Sequence, residues 1–313
     1  MKVHCSERKG TTMKKYKLLT RGEISFKVFA LIFLTLITVL AVLPFILIFM
    51  ASITDETWLA QNGYSFFPKK FSLNGYKYLL NQVHTIGRSY LVSIGITTVG
   101  TAANLFLTTM FAYPLSRKDF KYRNILSFVL FFTMMFNGGI VPSYLVWTRL
   151  MHVKNTYFAL LCPNLMMGAF NVLLVRNYYT SNVPAAIVES ALLDGATELQ
   201  IFRKIMLPLS VPVNVTVGLF AGLAYWNDWT NALYYVDDPE FFGIQNMLMR
   251  IMQNITFLSS GQAGKVVDTS AMTIPSVGIR MALAVVGIIP ILIAYPFLQK
   301  HLIKGVIVGA VKG

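Results

Sequence analysis

The chain has 313 residues, of which 55% are hydrophobic and only 13% charged, with a mean hydropathy of +0.59, a balance too apolar for an ordinary soluble domain. The formal charge of +14 does not mark a nucleic-acid binder, because the basic residues sit between apolar runs rather than on polar helices or arms. Two cysteines, Cys5 in a basic tail and Cys162 in an apolar run, leave no disulfide framework and no cysteine metal cluster.

In chain order, six apolar stretches are long enough to cross roughly 30 Å of hydrocarbon. They run approximately over Val28–Met50, Tyr90–Tyr113, Ile125–Trp147, Tyr157–Tyr178, Leu209–Leu233 and Met281–Leu298. Transmembrane strands alternate over about ten residues and these runs do not, so the expected fold is an all-α polytopic membrane protein with six transmembrane helices. The first run follows basic residues (Lys14, Lys15, Lys17, Arg21, Lys27) as a signal peptide would, but it is too long and lacks a small-residue cleavage site, which predicts an uncleaved helix. Residues 1–27 then form a basic segment, 28–299 the membrane domain, and 300–313 a tail. A cytoplasmic amino terminus places Lys and Arg on the inner side by a bias of about two to one. With six crossings, both termini lie inside a bacterial cytoplasmic membrane, segments 52–89 and 234–280 lie outside, and segment 181–208 is a cytoplasmic loop. The stretch Arg117–Arg123, with two further lysines, is a positive-inside anchor.

That loop, SNVPAAIVESALLDGATELQIFRKIMLPLS from Ser181 to Ser210, predicts two short helices along the membrane surface. Pro184 suits a first helical position, and Gly195 can take the left-handed conformation that ends the helix. Thr197 offers an N-cap with Gln200 completing a capping box, and Pro208 marks the start of the next membrane helix. Ile187, Ala191, Leu192, Leu199 and Phe202 are more apolar than a solvated loop needs, beside polar Glu189, Asp194, Glu198, Arg203 and Lys204. This mixture suits docking against another protein.

Glu189, Ala191, Gly195, Ile205, Leu207 and Pro208 stand at the spacing of the EAA loop of ABC importer permeases, with Ser190 replacing one alanine, small for small. Together with DGATELQIFRKIMLPLS and the ending YPFLQKHLIKGVIVGAVKG, the chain after about Leu18 resembles carbohydrate-importer permeases related to the smaller permease of the maltose system. The stretch MFNGGIVPSYLVW is similar to their oligosaccharide-lipoprotein branch. The resemblance implies the type I importer permease fold, with a second similar permease making a heterodimer, two ATPase subunits that hold Mg-ATP, an extracytoplasmic solute-binding protein, and an oligosaccharide as substrate. It implies that Glu189, Ser190, Ala191, Asp194, Gly195, Ile205, Leu207 and Pro208 couple the chain to an ATPase, that Lys304, Gly305, Lys312 and Gly313 make a second ATPase contact, and that the outer segment 234–280 faces the binding protein. A pectin- or rhamnogalacturonan-type oligosaccharide follows from the branch, with other glycans open.

The sugar path is read from polar residues inside apolar runs. Asn164, Gly168 and Asn171 repeat at helical spacing, as do Asn214, Gly218 and Gly222. Membrane amides are costly unless they meet water, substrate or another helix, whereas Gly218 and Gly222 form a GxxxG that also serves helix packing. Tyr225, Trp226, Asn227, Asp228 and Trp229 set aromatic faces beside hydrogen-bonding groups, a combination that suits a sugar ring and equally an interfacial belt. No catalytic residue is expected: GQAGKV at 261–266 lacks P-loop spacing, the four histidines (His4, His84, His152, His301) form no zinc motif, and GxSxG is absent. An ABC permease for a non-sugar solute stays open. A secondary transporter is a different class, but the runs hold only Asp228 as a carboxylate and no clear repeat, and an ion channel would need a filter stretch.

Overall fold

The computed structural model describes residues 21–259 and 277–310. Helices are the dominant regular structure, and the only β pairing among the described residues is one antiparallel bridge between Thr54 and Phe71. The first expected span is an unbroken helix, α1 (Arg21–Ser52), with mean hydropathy 3.0. Phe26, Phe29, Leu31, Leu34 and Leu40 are each more than half exposed on it, so lipid or another chain must cover it. Segment 52–89 is not a plain loop: it holds α2 (Glu56–Asn62), capped by the Asp55 carboxylate, and α3 (Asn74–Asn81). The second span is α4 (Val83–Ser116), which starts ahead of the apolar run because polar residues at its N-terminal end continue the same helix.

The third and fourth expected spans are interrupted rather than straight. α5 (Arg123–Met135) and α6 (Ile140–Leu145), the latter extended by a π turn to Leu150, meet at 113°. The bend falls at Asn137-Gly138-Gly139, where Gly139 takes φ +87° and its N–H donates to the Asn137 Oδ1. The fourth run divides into α7 (Phe158–Leu161) and α8 (Ala169–Asn182). Pro163 cannot donate to a helix and Asn164 sits at φ +61°. The predicted helical stripe of Asn164, Gly168 and Asn171 is therefore corrected: Asn164 lies in the break, Gly168 caps α8, and only Asn171 is helical. After α8 come α9 (Ala185–Leu193), α10 (Glu198–Ile201), a π turn over Phe202–Met206, and α11 (Leu207–Leu209). The chain then bends by 80° into α12 (Val211–Trp226). The fifth span thus begins at Val211, just beyond the expected Pro208, because the turn at Ser210 takes up the change of direction.

α13 (Thr230–Tyr235) and α14 (Ile244–Ser259) follow, then α15 (Val277–Ala310). Much of the expected outer connector is therefore helix: Ile244, Met247 and Leu248 of α14 are buried against α4 and α15. Positions 261–266 of the GQAGKV string lie outside the described residues. By length and apolarity alone two described helices cross a bilayer unaided, or four if each bent pair counts as one span.

α4 and α12 form the central seam. Three small residues let them approach: a Cβ on Gly100 would meet the tip of the Tyr225 ring at 2.5 Å, one on Gly218 would meet the Leu105 Cδ1 at 3.2 Å, and one on Gly222 the Thr101 Oγ1 at 3.4 Å. Packing is thus the role of the GxxxG pair, in a setting where helices associate by van der Waals contact and hydrogen bonds. Gly100→Ala should destabilise the fold by about 1–3 kcal/mol through overpacking, whereas Gly222→Ala, whose Cβ would meet only ordinary contact, should be neutral or stabilising by up to about 1 kcal/mol. Thermal unfolding of the two purified variants in detergent checks the order.

Candidate functional site

Two regions collect the candidate residues, one at each end of α4. Arg88 and Tyr113 mark those ends, roughly 37 Å apart at 1.5 Å per residue.

At the Tyr113 end lies the segment 181–208, and local chemistry builds it much as its sequence suggests. Pro184 is the N-cap of α9 rather than its first residue. Gly195 has φ +78° and its N–H donates to the Leu192 carbonyl at 3.0 Å. Thr197 and Gln200 exchange both bonds of a capping box. Glu189, Ser190, Asp194 and Pro208 are exposed, and Ala191, Ile205 and Leu207 are half-buried. Ile187, Leu192 and Leu199 are exposed, as expected of a docking face, and Leu193, which the sequence reading passed over, is the most exposed of all at 90%. Phe202 corrects that reading: it is 6% exposed, in a core cluster with Tyr113, Val175, Tyr179, Ile201 and Met206. The widened turn at Phe202–Met206 aims both named ends of that turn into the body. A cleft of about 390 Å³ runs beside α9 between Arg117, Lys118, Thr180, Val188 and Glu189.

At this end the loop is bonded to the body. The Tyr113 hydroxyl donates to the Glu198 Oε2, and Arg117 reaches the Glu198 Oε1 at 3.4 Å and Asp119 at 3.2 Å. Arg176 Nε donates to the Leu115 carbonyl and Tyr178 Oη to the Leu209 carbonyl. Lys304 and Gly305 belong to α15, and Lys312 and Gly313 lie outside the described residues.

Toward the other end the broken spans meet. The break between α7 and α8 frees backbone carbonyls from helical pairing, and a buried unpaired carbonyl is costly. Three side chains from other elements take them: Tyr225 Oη donates to Leu161 at 2.9 Å, Asn231 Nδ2 to Pro163 at 2.9 Å, and Asn104 Nδ2 to Leu165 at 2.7 Å. Asn164 is held between these anchors with its side chain exposed. It lines a pocket of about 110 Å³ with Asn137, Ser143, Thr230, Asn231 and Tyr234. Among the described residues no charged side chain lines that pocket.

The aromatic cluster separates. Tyr225 and Trp226 are 4% and 8% exposed, the first packed on Gly100 and the second against Tyr90. Their rings join helices and do not open to a pocket large enough for a sugar. Asn227 and Trp229 are exposed, and the Asp228 Oδ1 accepts from the Thr230 and Asn231 N–H groups at the start of α13. Asn171 is half-buried on α8. Asn104 and Asn231 were missed from the sequence. For Asn104 a signal existed, because Ser89, Ser93, Thr97, Gly100, Asn104 and Thr108 recur at helical spacing in α4.

Beyond the breaks, residues near the Arg88 end of α4 form a polar rim. Arg88 pairs with Glu240 at 2.9 Å and Lys154 with Asp237 at 2.7 Å. The hydrogen bond and charge of Arg88 hold the Glu240 carboxyl below its ordinary range, and the bond to Asp237 pushes Lys154 up. Asn155, at φ +56°, accepts through its Oδ1 from the Asp237 and Asp238 N–H groups.

Residues 104–308 match the family of binding-protein-dependent transport system inner membrane components. Protein LplC of Bacillus subtilis is 39% identical over 94% of this chain and 97% of its own length. The polygalacturonan/rhamnogalacturonan transport system permease protein YtcP of the same organism is 38% identical over 90% and 96%. Among solved structures, a chain of a bacterial ABC transporter involved in import of the acidic polysaccharide alginate superposes with a TM-score of 0.75 at 27% identity, covering 91% of this chain and 99% of that one.

Asn104→Leu should strand the Leu165 carbonyl and lower stability by about 1–2 kcal/mol. Thermal unfolding in detergent, beside Thr98→Val on the exposed face as a near-silent control, is the check.

Proposed function

This chain belongs to the family of binding-protein-dependent transport system inner membrane components, and on that premise we propose that it is one permease of an ATP-driven oligosaccharide importer in a bacterial cytoplasmic membrane. Both termini and the segment 181–208 face the cytoplasm. A second, similar permease of different sequence completes the pathway, two ATPase subunits hold and hydrolyse Mg-ATP, and a solute-binding protein delivers sugar to the rim at Arg88, Lys154 and Asp237.

The observation that carries this reading is the exposed apolar face of α9 and its turn. Ile187, Leu192, Leu193 and Leu199 stand out from a segment whose other side is sunk in the core. Exposed apolar surface rimmed by Glu189, Ser190 and Asp194 fits a cleft on another protein. Ala191 and Gly195 shape the turn, and Ile205, Leu207 and Pro208 carry it into α12. Closure of the ATPases moves this face, and the bundle exchanges one access for the other. Lys304, Gly305, Lys312 and Gly313 give the second ATPase contact.

Sugar passes the level of the broken spans. Asn164, presented by three anchored carbonyls, leads the contacts, with Asn227, Asp228 and Trp229 on the adjoining turn and Asn171 further in. Tyr225 and Trp226 act by holding that region in place. A pocket of amides and hydroxyls matches a hydroxyl-rich ring, and the likeness to YtcP, a polygalacturonan/rhamnogalacturonan transport permease, supports a polygalacturonan- or rhamnogalacturonan-type oligosaccharide.

Affinity purification of the chain from its native membrane should recover a second permease and an ATPase. Gly195→Pro cannot adopt φ +78° and loses the bond to Leu192, so it should keep the permease partner and lose most of the ATPase, as should Glu189→Lys. Full retention of ATPase and uptake by both variants would sink the coupling assignment. Asn164→Ala should leave assembly unchanged and cut uptake about fivefold; unaltered uptake would remove Asn164 from the path.

A further inference from the structure

We propose that Glu198 is a positioning residue: it closes a bracket that makes α4, the segment 198–209 and α12 move as one body, so that displacement of α9 reaches the membrane helices without being absorbed in the loop. The inference rests on the reading of α9 and its turn as the ATPase-facing surface.

The bracket has three joints. At the first, Glu198 accepts from the buried Tyr113 hydroxyl and meets Arg117, both at the end of α4. At the second, the segment 198–209 turns through 80° into α12, with Ser210 buried and bonded to the Asn214 amide at 2.9 Å, and with Tyr178 on the Leu209 carbonyl. At the third, α12 returns to α4 along the seam of Gly100, Gly218 and Gly222. Tyr113 and Phe202, with ring centroids 5.4 Å apart, fill the interior along with Met206. Of the three carboxylates between Glu189 and Glu198, Glu198 alone is bonded to the body among the described residues. Gly195, in its left-handed turn, lies just outside the bracket. A push on α9 therefore meets a hinge on one side and a closed triangle on the other.

The two contacts at the first joint differ in weight. The Arg117 pair is partly exposed and already shared with Asp119, and such pairs contribute little. The bond from a buried hydroxyl to a carboxylate is charge-assisted and leaves that hydroxyl without its partner when lost. Removing the acceptor should thus matter more than removing the charge.

The test uses the full complex purified through this chain and reconstituted with its binding protein, read as sugar moved per ATP hydrolysed and as ATPase recovered. Glu198→Ala and Tyr113→Phe should each lower sugar per ATP about tenfold, with ATPase and second permease recovered at wild-type levels. The double variant should be no worse than either single one, and Glu198→Gln, which keeps an acceptor, should stay within about threefold of wild type. Loss of ATPase from Glu198→Ala would make Glu198 a docking residue and overturn the bracket. Unchanged sugar per ATP in Tyr113→Phe, or independent effects in the double variant, would also overturn it. A wild-type chain that recovers no ATPase would instead remove the coupling reading beneath the proposal.

Discussion

The approach of α4 to α12 sets the position of everything that carries function. Where the tip of the Tyr225 ring rests on Gly100, there is no room for even one methyl group. In hydrocarbon this contact gains nothing from expelling water, so its strength is close packing and the hydrogen bonds that close packing permits. Its consequences run both ways along the helices. Toward one end it brings the α12 bend beside the end of α4, where Tyr113 meets Glu198. Toward the other it carries the Tyr225 hydroxyl to the Leu161 carbonyl.

A second constraint follows from the first. A span can break inside a membrane only where the freed backbone groups find partners. Here the seam supplies Tyr225, α4 supplies Asn104 and α13 supplies Asn231, and the break between α7 and α8 is satisfied by three donors from three elements. The same donors hold the backbone on both sides of Asn164, which is itself left-handed, so an exposed amide is presented with little freedom. The bend at Asn137 and Gly139 brings a second amide to the same pocket. Structural polar groups and candidate transport groups are thus neighbours, which explains why hydropathy treats them alike.

What the sequence revealed was what local chemistry decides. Gly195, Thr197 and Gln200 impose their conformations on adjacent residues, and the helix, turn and capped second helix stand as their spacing suggests. The apolar runs likewise became helical, the third and fourth of them with breaks. Tertiary burial was not legible. Phe202 and Leu193 are both apolar residues in the segment 181–208, and only the fold decides that the first is sunk in the core and the second exposed. The stripe at Asn164, Gly168 and Asn171 failed because α8 starts only at Ala169, which leaves Asn164 and Gly168 in the non-helical stretch after α7. Tyr225 and Trp226 suit a sugar by chemistry and a helix seam by shape, and their burial favours the seam. The α4 stripe that includes Asn104 was available from periodicity but lay inside a run read only for its length.

Together the parts describe a transporter in which one rigid pair of helices joins an exposed apolar face to a set of broken spans. Membership of a transport family, and not any catalytic group of its own, gives this chain its role. The most direct test is uptake of labelled galacturonan oligosaccharide by vesicles containing the chain, its partner permease and the ATPases, with binding protein outside and ATP inside. Accumulation that needs every component and stops when ATP is withheld is the predicted result. Accumulation by vesicles holding this chain alone, driven by an ion gradient, would contradict the account.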